Sequence, residues 1–591
     1  HWMVHSFPTR RSSDLKEKWQ ILRPDRQKVD NLSKTLGISK TVATVLVNRK
    51  IDGVESASLF LQSKIKSLPD PFLLKDSEQA AVIITEYIKQ KKKIVIYGDY
   101  DVDGITSTLI MYQFLTHVGA RVDHYIPHRL EDGYGLNTYT LEEIATNGGE
   151  LVITVDCGIT SVDEVKYAKD LGLETIIIDH HHVGEEIPPA VAIVNPHQHD
   201  CPYPFKEMAA VGVAFSFLMV LKKVVEKDGF FKGALPNLAE YLDIVAMGTV
   251  ADMVPLLDSN RIFVKHGLTQ MQKNKRPGLL ALANVCGLKN LKEITPAVIS
   301  YKMAPRLNAA GRIGNAIKGL ELIECTDYES AYKMAEELNL TNEYRQQLEA
   351  EIFEQAMSKV ENSDIIDTKS AIILYSEKWH PGVIGIVAYR LVEKYYKPTI
   401  MISVEDGIGR GSARSIPQLH IYNILKELSS YLVQYGGHKY AAGLTIKESN
   451  IEEFIERFNG MVDTALAQET YSQSTDIDAE LPLKELTPDL IVALSKLEPF
   501  GMNNQEPNFL ATNVQIIKQS VINRSHLHWK LGVADSTMTF NSIGFGLLNE
   551  KDSPNTGDLI DIIYFPRINT YGGNITLQLY IKDFVFSEKK D

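Results

Sequence analysis

The sequence predicts an α/β protein in three folded parts: a parallel-sheet domain, a smaller α/β domain reached through a long helix, and a C-terminal OB-like β-barrel. Three observations predict it. Between 77 and 194 strand patterns alternate with helical ones, and LVITV and TIIID are continuous apolar runs, as in a parallel sheet buried on both faces. Residues 328–360 form a charged helical pattern without Gly or Pro, as in an exposed connecting helix. After about 472 short strands come at close spacing, the mark of a small barrel. A chain of 591 residues exceeds one core, and three or four domains are expected.

Residues 1–15, HWMVHSFPTRRSSDL, differ from the rest of the chain and lack the apolar segment of a secretory signal; they read as a translated sequencing-adapter or cloning scar, with a basic targeting arm as the alternative. Residues 16–75 read as a small helical piece, with Ser39 and Glu55 as start signals and an end near Pro69-Asp70-Pro71.

The next domain, 76–327, carries strands at 94–97, 121–126, 151–155, 174–178 and 192–194. Its first strand runs into KIVIYGDYDVDGI, Lys93–Ile105, where Asp99, Asp101 and Asp103 alternate before Gly104 opens a helix. In an open parallel sheet ligands bind at the carboxyl edge. Three ionised carboxylates so close need a counter-charge, best supplied by a divalent cation with oxygen ligands. Alone, the DxDxDG run fits a solvated acidic turn about as well. Asp156 in VDCGI and Asp179-His180-His181-His182 tip the balance, because they end two further strands of the same sheet. Mixed carboxylate–imidazole ligation suits Mn²⁺, Mg²⁺ or another first-row ion. Asp243 and Asp252 lie on the apolar helical stretch further along, and spacing does not choose between them.

In YKMAPRLNAAGRIGN, 301–315, Arg306, Asn308, Gly311 and Arg312 read as a compact polar loop suited to phosphate, with a solvated basic loop as the bland alternative. The connecting helix spans 328–362, and a second α/β domain spans 363–467. Two Gly-rich loops there, 407–415 and 436–443, bring backbone N–H groups and Arg410, Arg414 and His438 toward an anion. In the barrel region, 468–591, Trp529, Phe545, Phe565 and Tyr571 are candidates to stack bases, although any one aromatic is more ordinarily core. Lys518, Arg524, Lys530 and Arg567 are candidates to follow a nucleic-acid backbone.

No apolar run reaches the ~18–20 residues needed to span a bilayer. Cys157, Cys201, Cys286 and Cys325 form no CxxC pair, which argues against structural zinc or disulfides and for a reducing, cytoplasmic setting. A net charge of −13 means that any nucleic-acid partner must be met in a local basic groove.

Taken in order, GDYDVDG, VDCGI, IDHHH, GTVADMVPL and APRLNAAGRIG resemble the DHH phosphoesterase superfamily. GRGSARS and YGGHKYAAG resemble its DHHA1 accessory domain. WHPGVIGIVAYRL and LEPFGMNNQEPNF narrow the resemblance to the single-strand-specific 5′-to-3′ DNA exonucleases of bacteria. The resemblance implies a DHH domain and a DHHA1 domain joined by the long helix, and then an OB domain. It implies metal ligation by Asp101, Asp103, Asp156, His180 and Asp252, with Asp156 bridging two Mn²⁺ or Mg²⁺ ions, and it places His181 beside the scissile phosphate. Arg306, Asn308 and Arg312 resemble the nucleotide-contacting loop; Ser412, Arg414, Gly437 and His438 resemble the accessory phosphate pocket. Some relatives carry a ligand histidine where this chain has Tyr97. Implied partners are single-stranded DNA, a single-strand-binding protein and a helicase, with the protein a monomer acting in DNA repair and recombination. Two alternatives remain: a small-substrate phosphodiesterase acting on oligoribonucleotides or cyclic dinucleotides, and a non-catalytic DNA-binding scaffold.

Overall fold

The computed structural model describes residues 18–129, 135–274, 276–466, 474–522, 526–533, 538–545, 547, 554–569 and 576–587. Tyr571 and Arg524, the whole of 1–15 and the first residues of the 468–591 segment lie outside them. The described residues fall into two compact units, one within 1–126, 135–304 and 472–591, the other within 127–134 and 305–471.

In the first unit the five expected strands form one parallel sheet. Its order is Arg121–Tyr125, Lys93–Tyr97, Leu151–Val155, Glu174–Ile178, Ala192–Val194. Leu151–Val155 is buried at every position because helices cover both faces. Helices Val102–His117, Ala210–Asp228 and Leu242–Ala251 are apolar nearly all round and sit in the core. All parallel strands end on one edge, so the turns after Tyr97, Val155 and Ile178 meet there.

The C-terminal strands close into a barrel. Phe509–Ile522, His526–Val533, Thr539–Gly544, Thr576–Phe586 and Leu559–Asn569 pair in that order, and the last returns to the first. In so small a barrel alternate residues point inward and fill it. Trp529 is fully buried and edge-on to Phe584 at 5.3 Å, and Phe565 is 4% exposed and stacked on Phe509. These two candidate base-stacking aromatics are therefore core residues. Lys518 and Lys530 are exposed cross-strand neighbours, whereas Arg567 is paired with Glu506 and lies over the Tyr580 ring at 4.4 Å. Phe545 is half-buried beside Tyr580.

The N-terminal piece is not purely helical and not self-contained. Lys18–Ile21 is a strand paired in parallel with Ser474–Ile477. Val29, Leu32, Val42, Leu46 and Phe60 from its helices share one core with Leu481, Leu494, Trp529, Tyr564 and Phe584.

In the second unit a mixed sheet runs in the order Leu432–Gly437, Ala441–Lys447, Ile408–Arg414, Thr399–Glu405, Ile372–Ser376. The two Gly-rich stretches expected as loops are mainly strands here. Gly409 and Gly411 pair with Ile446 and Leu444, and a Cβ on either would come within 2.7 Å of a neighbouring Ile402 or Leu444 side chain. Their glycines thus serve close strand packing.

Tyr301–Asn315 is likewise not a loop. A helical run opens at Pro296, passes through a π-helical turn, Ile299–Met303, and continues as helix Ala304–Ile313, with Pro305 just after the π-helical turn. Helix Tyr328–Glu361 runs unbroken for 34 residues, about 51 Å at the α-helical rise. It is less exposed than expected: Ala331, Ala335, Leu338, Asn342 and Arg345 form a buried stripe. Small and polar residues in that stripe hide it from a hydrophobicity pattern. Among the described residues no helix is long and apolar enough to cross a membrane.

Candidate metal and phosphate sites

Asp101 caps helix Val102–His117, its Oδ1 accepting the Asp103 and Gly104 N–H groups at 2.9 and 3.1 Å. Asp103 points the other way, into the N-terminus of helix Ala210–Asp228. Its Oδ2 accepts from Ala210 N at 2.7 Å and its Oδ1 from Val211 N at 2.9 Å. A helix N-terminus is a favourable seat for a carboxylate. Asp156 comes directly after Val155 with φ of 63°, a left-handed conformation that Asp tolerates better than most side chains. That turn lifts it off the strand, and its Oδ1 lies 3.2 Å from His180 Nε2.

His180 Nδ1 is 2.9 Å from the Met208 carbonyl oxygen. Donating there commits the proton to Nδ1 and leaves the Nε2 lone pair facing Asp156, the arrangement of a ligating histidine. His181 Nδ1 lies 2.7 Å from Asp179 Oδ1. Asp179 also accepts the backbone N–H groups of His180, His181 and Ile159, so it fixes the turn and one imidazole together. Asp252 ends helix Leu242–Ala251, and its Oδ2 is buried with no hydrogen-bond partner among the described residues.

These groups are held close, with His180 and His181 offsetting only part of the carboxylate charge. Three sets have ligand atoms within 4.8 Å of one another: Asp156, His180 and His181; Asp103, His180 and Asp252; and Asp99, Asp101 and Asp156. Burial pushes the Asp103 carboxyl up to about 6, with His180 opposing and Asp101 adding. Burial, then Asp103, Asp101, Asp99 and Asp252, hold Asp156 well above the carboxylate range. Asp252 is pushed up to about 8 by burial, His180 opposing and Asp103 and Asp101 adding. For His180 burial opposes charge, but Asp252, Asp103 and Asp179 prevail and raise it. Asp179 is lowered despite its burial, because His181 and His180 stand beside it. Hard oxygen and imidazole donors, a buried Asp252 oxygen that accepts no hydrogen bond among the described residues, and crowded like charge together fit a divalent cation.

Asp101, Asp103, Asp156, His180, His181 and Asp252 thus come together. Asp243 does not join them; it is fully buried against Arg276 Nε at 2.7 Å. Two further residues lie here that the strand-end clusters include but the ligand set implied by the resemblance leaves out. Asp99 stands two positions before Asp101, a spacing that returns a side chain to the same side of an extended turn. Asp179 directly follows its strand, and its place before three histidines is the available signal. Tyr97 turns elsewhere, donating its hydroxyl to the Gly135 carbonyl at 3.0 Å and accepting from Asn137 at 3.3 Å. Tyr97→Phe is expected to cost about 1 kcal/mol in urea unfolding and to leave the Mn²⁺ requirement unchanged. A changed requirement would put the phenol in the metal site.

In the second unit Ser412 and Arg414 alternate on one strand and share a face. Arg414 Nη1 donates to Ser412 Oγ at 3.1 Å and to the Ala413 carbonyl at 2.7 Å. Gly385, in the first turn of helix Ile384–Tyr395, lies so close that a Cβ would be 2.7 Å from Ser412 Oγ. Helix N-terminus, hydroxyl and guanidinium therefore converge. Gly437 and Ala413 both pair with Ala442, which brings the His438 turn to the same end of the sheet. Burial lowers Arg414 to about 10, and Arg129 adds to this. Arg306 is tied to Asn339 Oδ1 at 2.9 Å and Arg312 to the Gly382 carbonyl at 3.3 Å; Asn308 lies one turn before Arg312 on the same helix.

Three family models match: the DHH family N-terminal domain over 93–249, the DHHA1 domain over 368–464 and the RecJ OB domain over 477–583. The single-stranded-DNA-specific exonuclease RecJ of Bacillus subtilis strain 168 is 38% identical over 577 residues, covering 97% of this chain and 71% of that protein. The chain belongs to the RecJ family. RecJ of Escherichia coli K12 is 33% identical, covering 90% of this chain and 93% of that protein. The crystal structure of RecJ from Thermus thermophilus in complex with Mn²⁺ matches with a TM-score of 0.81 and 28% identity, over 97% of this chain and 80% of that one. The RecJ match thus spans the sheet-edge cluster, the accessory sheet and the barrel alike.

Proposed function

We propose that this chain is a metal-dependent exonuclease that degrades single-stranded DNA from the 5′ end and releases 5′-mononucleotides. The observation that carries the reading is the meeting of Asp99, Asp101, Asp103, Asp156, His180 and Asp252 on one sheet edge of a RecJ-family chain. The Mn²⁺ in the Thermus relative supports the cofactor. Asp103, His180 and Asp252 would hold one ion, and Asp99, Asp101 and Asp156 a second. Bound Mn²⁺ or Mg²⁺ supplies Lewis-acid activation of water and neutralises charge gathering on the phosphate.

The chain's own groups do the rest. His181, held by Asp179 through Nδ1, presents Nε2 to a non-bridging phosphate oxygen. Water adds to phosphorus, the P–O3′ bond breaks, and O3′ leaves with a proton. Ser412, Arg414, Gly437 and His438, with Arg129, bind the phosphate near the 5′ end, and Arg306, Asn308 and Arg312 contact the nucleotide chain. Lys518 and Lys530 follow the trailing strand by charge, so that binding weakens as salt rises. In this reading 76–327 carries catalysis, 363–467 grips phosphate and 468–591 holds the strand. The protein acts in the cytoplasm as a monomer, on strands opened by a helicase and covered by a single-strand-binding protein.

End-labelled DNA tests the proposal. With Mn²⁺ or Mg²⁺, a 5′ label on a single strand is expected to leave first as a mononucleotide, with duplex spared and EDTA abolishing release. Earlier release of a 3′ label would reverse the polarity. Cleavage of dinucleotides but not of long strands would favour the small-substrate alternative.

A further inference from the structure

The segment after Asp252 is irregular. Helix Leu242–Ala251 ends at Asp252, Met253 takes φ of 60°, and the next helix, Asp258–Asn274, begins six residues on. Two contacts fix this segment. Asn260 Nδ2 donates to the Pro255 carbonyl at 3.0 Å, and Leu256 N donates to the Met502 carbonyl at 2.8 Å. Met502 belongs to the turn leading into the barrel. Gly501 beside it packs so tightly that a Cβ would lie 2.5 Å from Leu256 Cδ1, and Leu256 is only 2% exposed.

That turn is itself clamped from the catalytic side. Arg261, 1% exposed, donates to the carbonyls of Lys496, Leu497, Glu498 and Pro499 at 3.1, 3.0, 2.6 and 3.3 Å. Its Nε donates to the Phe60 carbonyl at 3.0 Å, and its guanidinium lies over the Phe60 ring at 3.8 Å. Asn504 closes the turn by donating to the Leu497 and Pro499 carbonyls, and Arg49 donates to Asn504. Among the described residues this buried guanidinium makes no ion pair with a carboxylate, and Glu498 acts on it only at longer range; its geometry serves to hold backbone in place. Asn260 and Arg261 are adjacent, so one helix turn holds both the Asp252 segment and the barrel's entry turn.

We propose that the Lys496–Asn504 turn is a brace for Asp252, and that Arg261 and Gly501 are positioning residues for the metal site. This rests on Asp252 being a ligand, as proposed above. Residues that orient a ligand typically change metal affinity by tenfold or more when altered. The barrel is then more than a strand holder, because its attachment also tunes the affinity of the catalytic site for its ion.

Mn²⁺ binding to the full-length protein by isothermal titration calorimetry tests this, alongside hydrolysis of a 5′-phosphorylated trinucleotide. Gly501→Ala and Arg261→Lys are expected to weaken Mn²⁺ binding about tenfold, with kcat at saturating Mn²⁺ close to the unmodified protein's. Asp252→Asn serves as the reference. If it binds Mn²⁺ normally, the ligand reading fails. If it loses binding while folded Gly501→Ala and Arg261→Lys proteins bind Mn²⁺ normally, the brace is refuted. A kcat loss in Gly501→Ala that saturating Mn²⁺ does not restore also refutes it. Should Arg261→Lys fail to fold, Gly501→Ala decides.

Discussion

Asp156→Asn is expected to lower kcat/KM on single-stranded DNA by about 10³ or more, while DNA affinity stays within a few-fold. Asp156 belongs to two of the three potential ligand sets, one with His180 and His181 and one with Asp99 and Asp101. Among the described residues no other carboxylate there is shared in this way. An amide keeps the shape of the side chain but removes the charge that a cation needs. It should not unfold the protein, because Asn adopts the left-handed conformation at this position as readily as Asp does. The metal-free protein should even gain stability, since Asp156 is held above its ordinary range by burial and by Asp103, Asp101, Asp99 and Asp252. Stabilisation by added Mn²⁺, which depends on ligand concentration over Kd, should largely disappear. Single-turnover cleavage and melting with and without Mn²⁺ check both halves. Activity within tenfold of the unmodified protein would remove Asp156 from the centre of the mechanism.

The sheet edge was legible because its signal is local. Each aspartate or histidine directly follows an apolar strand, and parallel topology makes such ends converge without further information. Asp252 was harder, since a helix end carries no such rule and Asp243 offered an equal alternative. Only the fold shows Asp243 paired with Arg276. The Gly-rich stretches misled because glycine signals turns more often than it signals strands packed too closely for a Cβ. Least legible was the union of the N-terminal helices with the barrel. Trp529 and Val42 belong to one core although most of the chain separates them, and complementarity between such distant segments leaves no periodic trace. The long helix concealed its buried stripe for a related reason: Ala331, Ala335, Asn342 and Arg345 fill it without raising local hydrophobicity.

Gly104→Ala is expected to be the most damaging small substitution on the sheet edge. In an exposed helix, replacing glycine by alanine stabilises by up to about 1 kcal/mol. Gly460 offers that case, lying in helix Ile451–Leu466 with nothing within 4 Å of its would-be Cβ. Gly104 is equally helical, but a Cβ there would lie 2.5 Å from the Asp99 carbonyl oxygen, 2.6 Å from its nitrogen and 2.7 Å from its carbonyl carbon. All three atoms are backbone, so no side-chain rotation relieves the clash. The Asp99–Asp101 turn must move away from the helix that Asp101 caps, and the Asp99, Asp101 and Asp156 set must open. Overpacking of this kind costs about 1–3 kcal/mol, and displacing reacting groups by about 1 Å can cost 10²-fold in rate. Gly104→Ala should therefore melt below the unmodified protein and cleave single strands about 10²-fold more slowly, while Gly460→Ala melts slightly above it at full activity. If both substitutions stabilise and neither slows cleavage, the close approach of helix and turn is not what holds Asp99 and Asp101 in place.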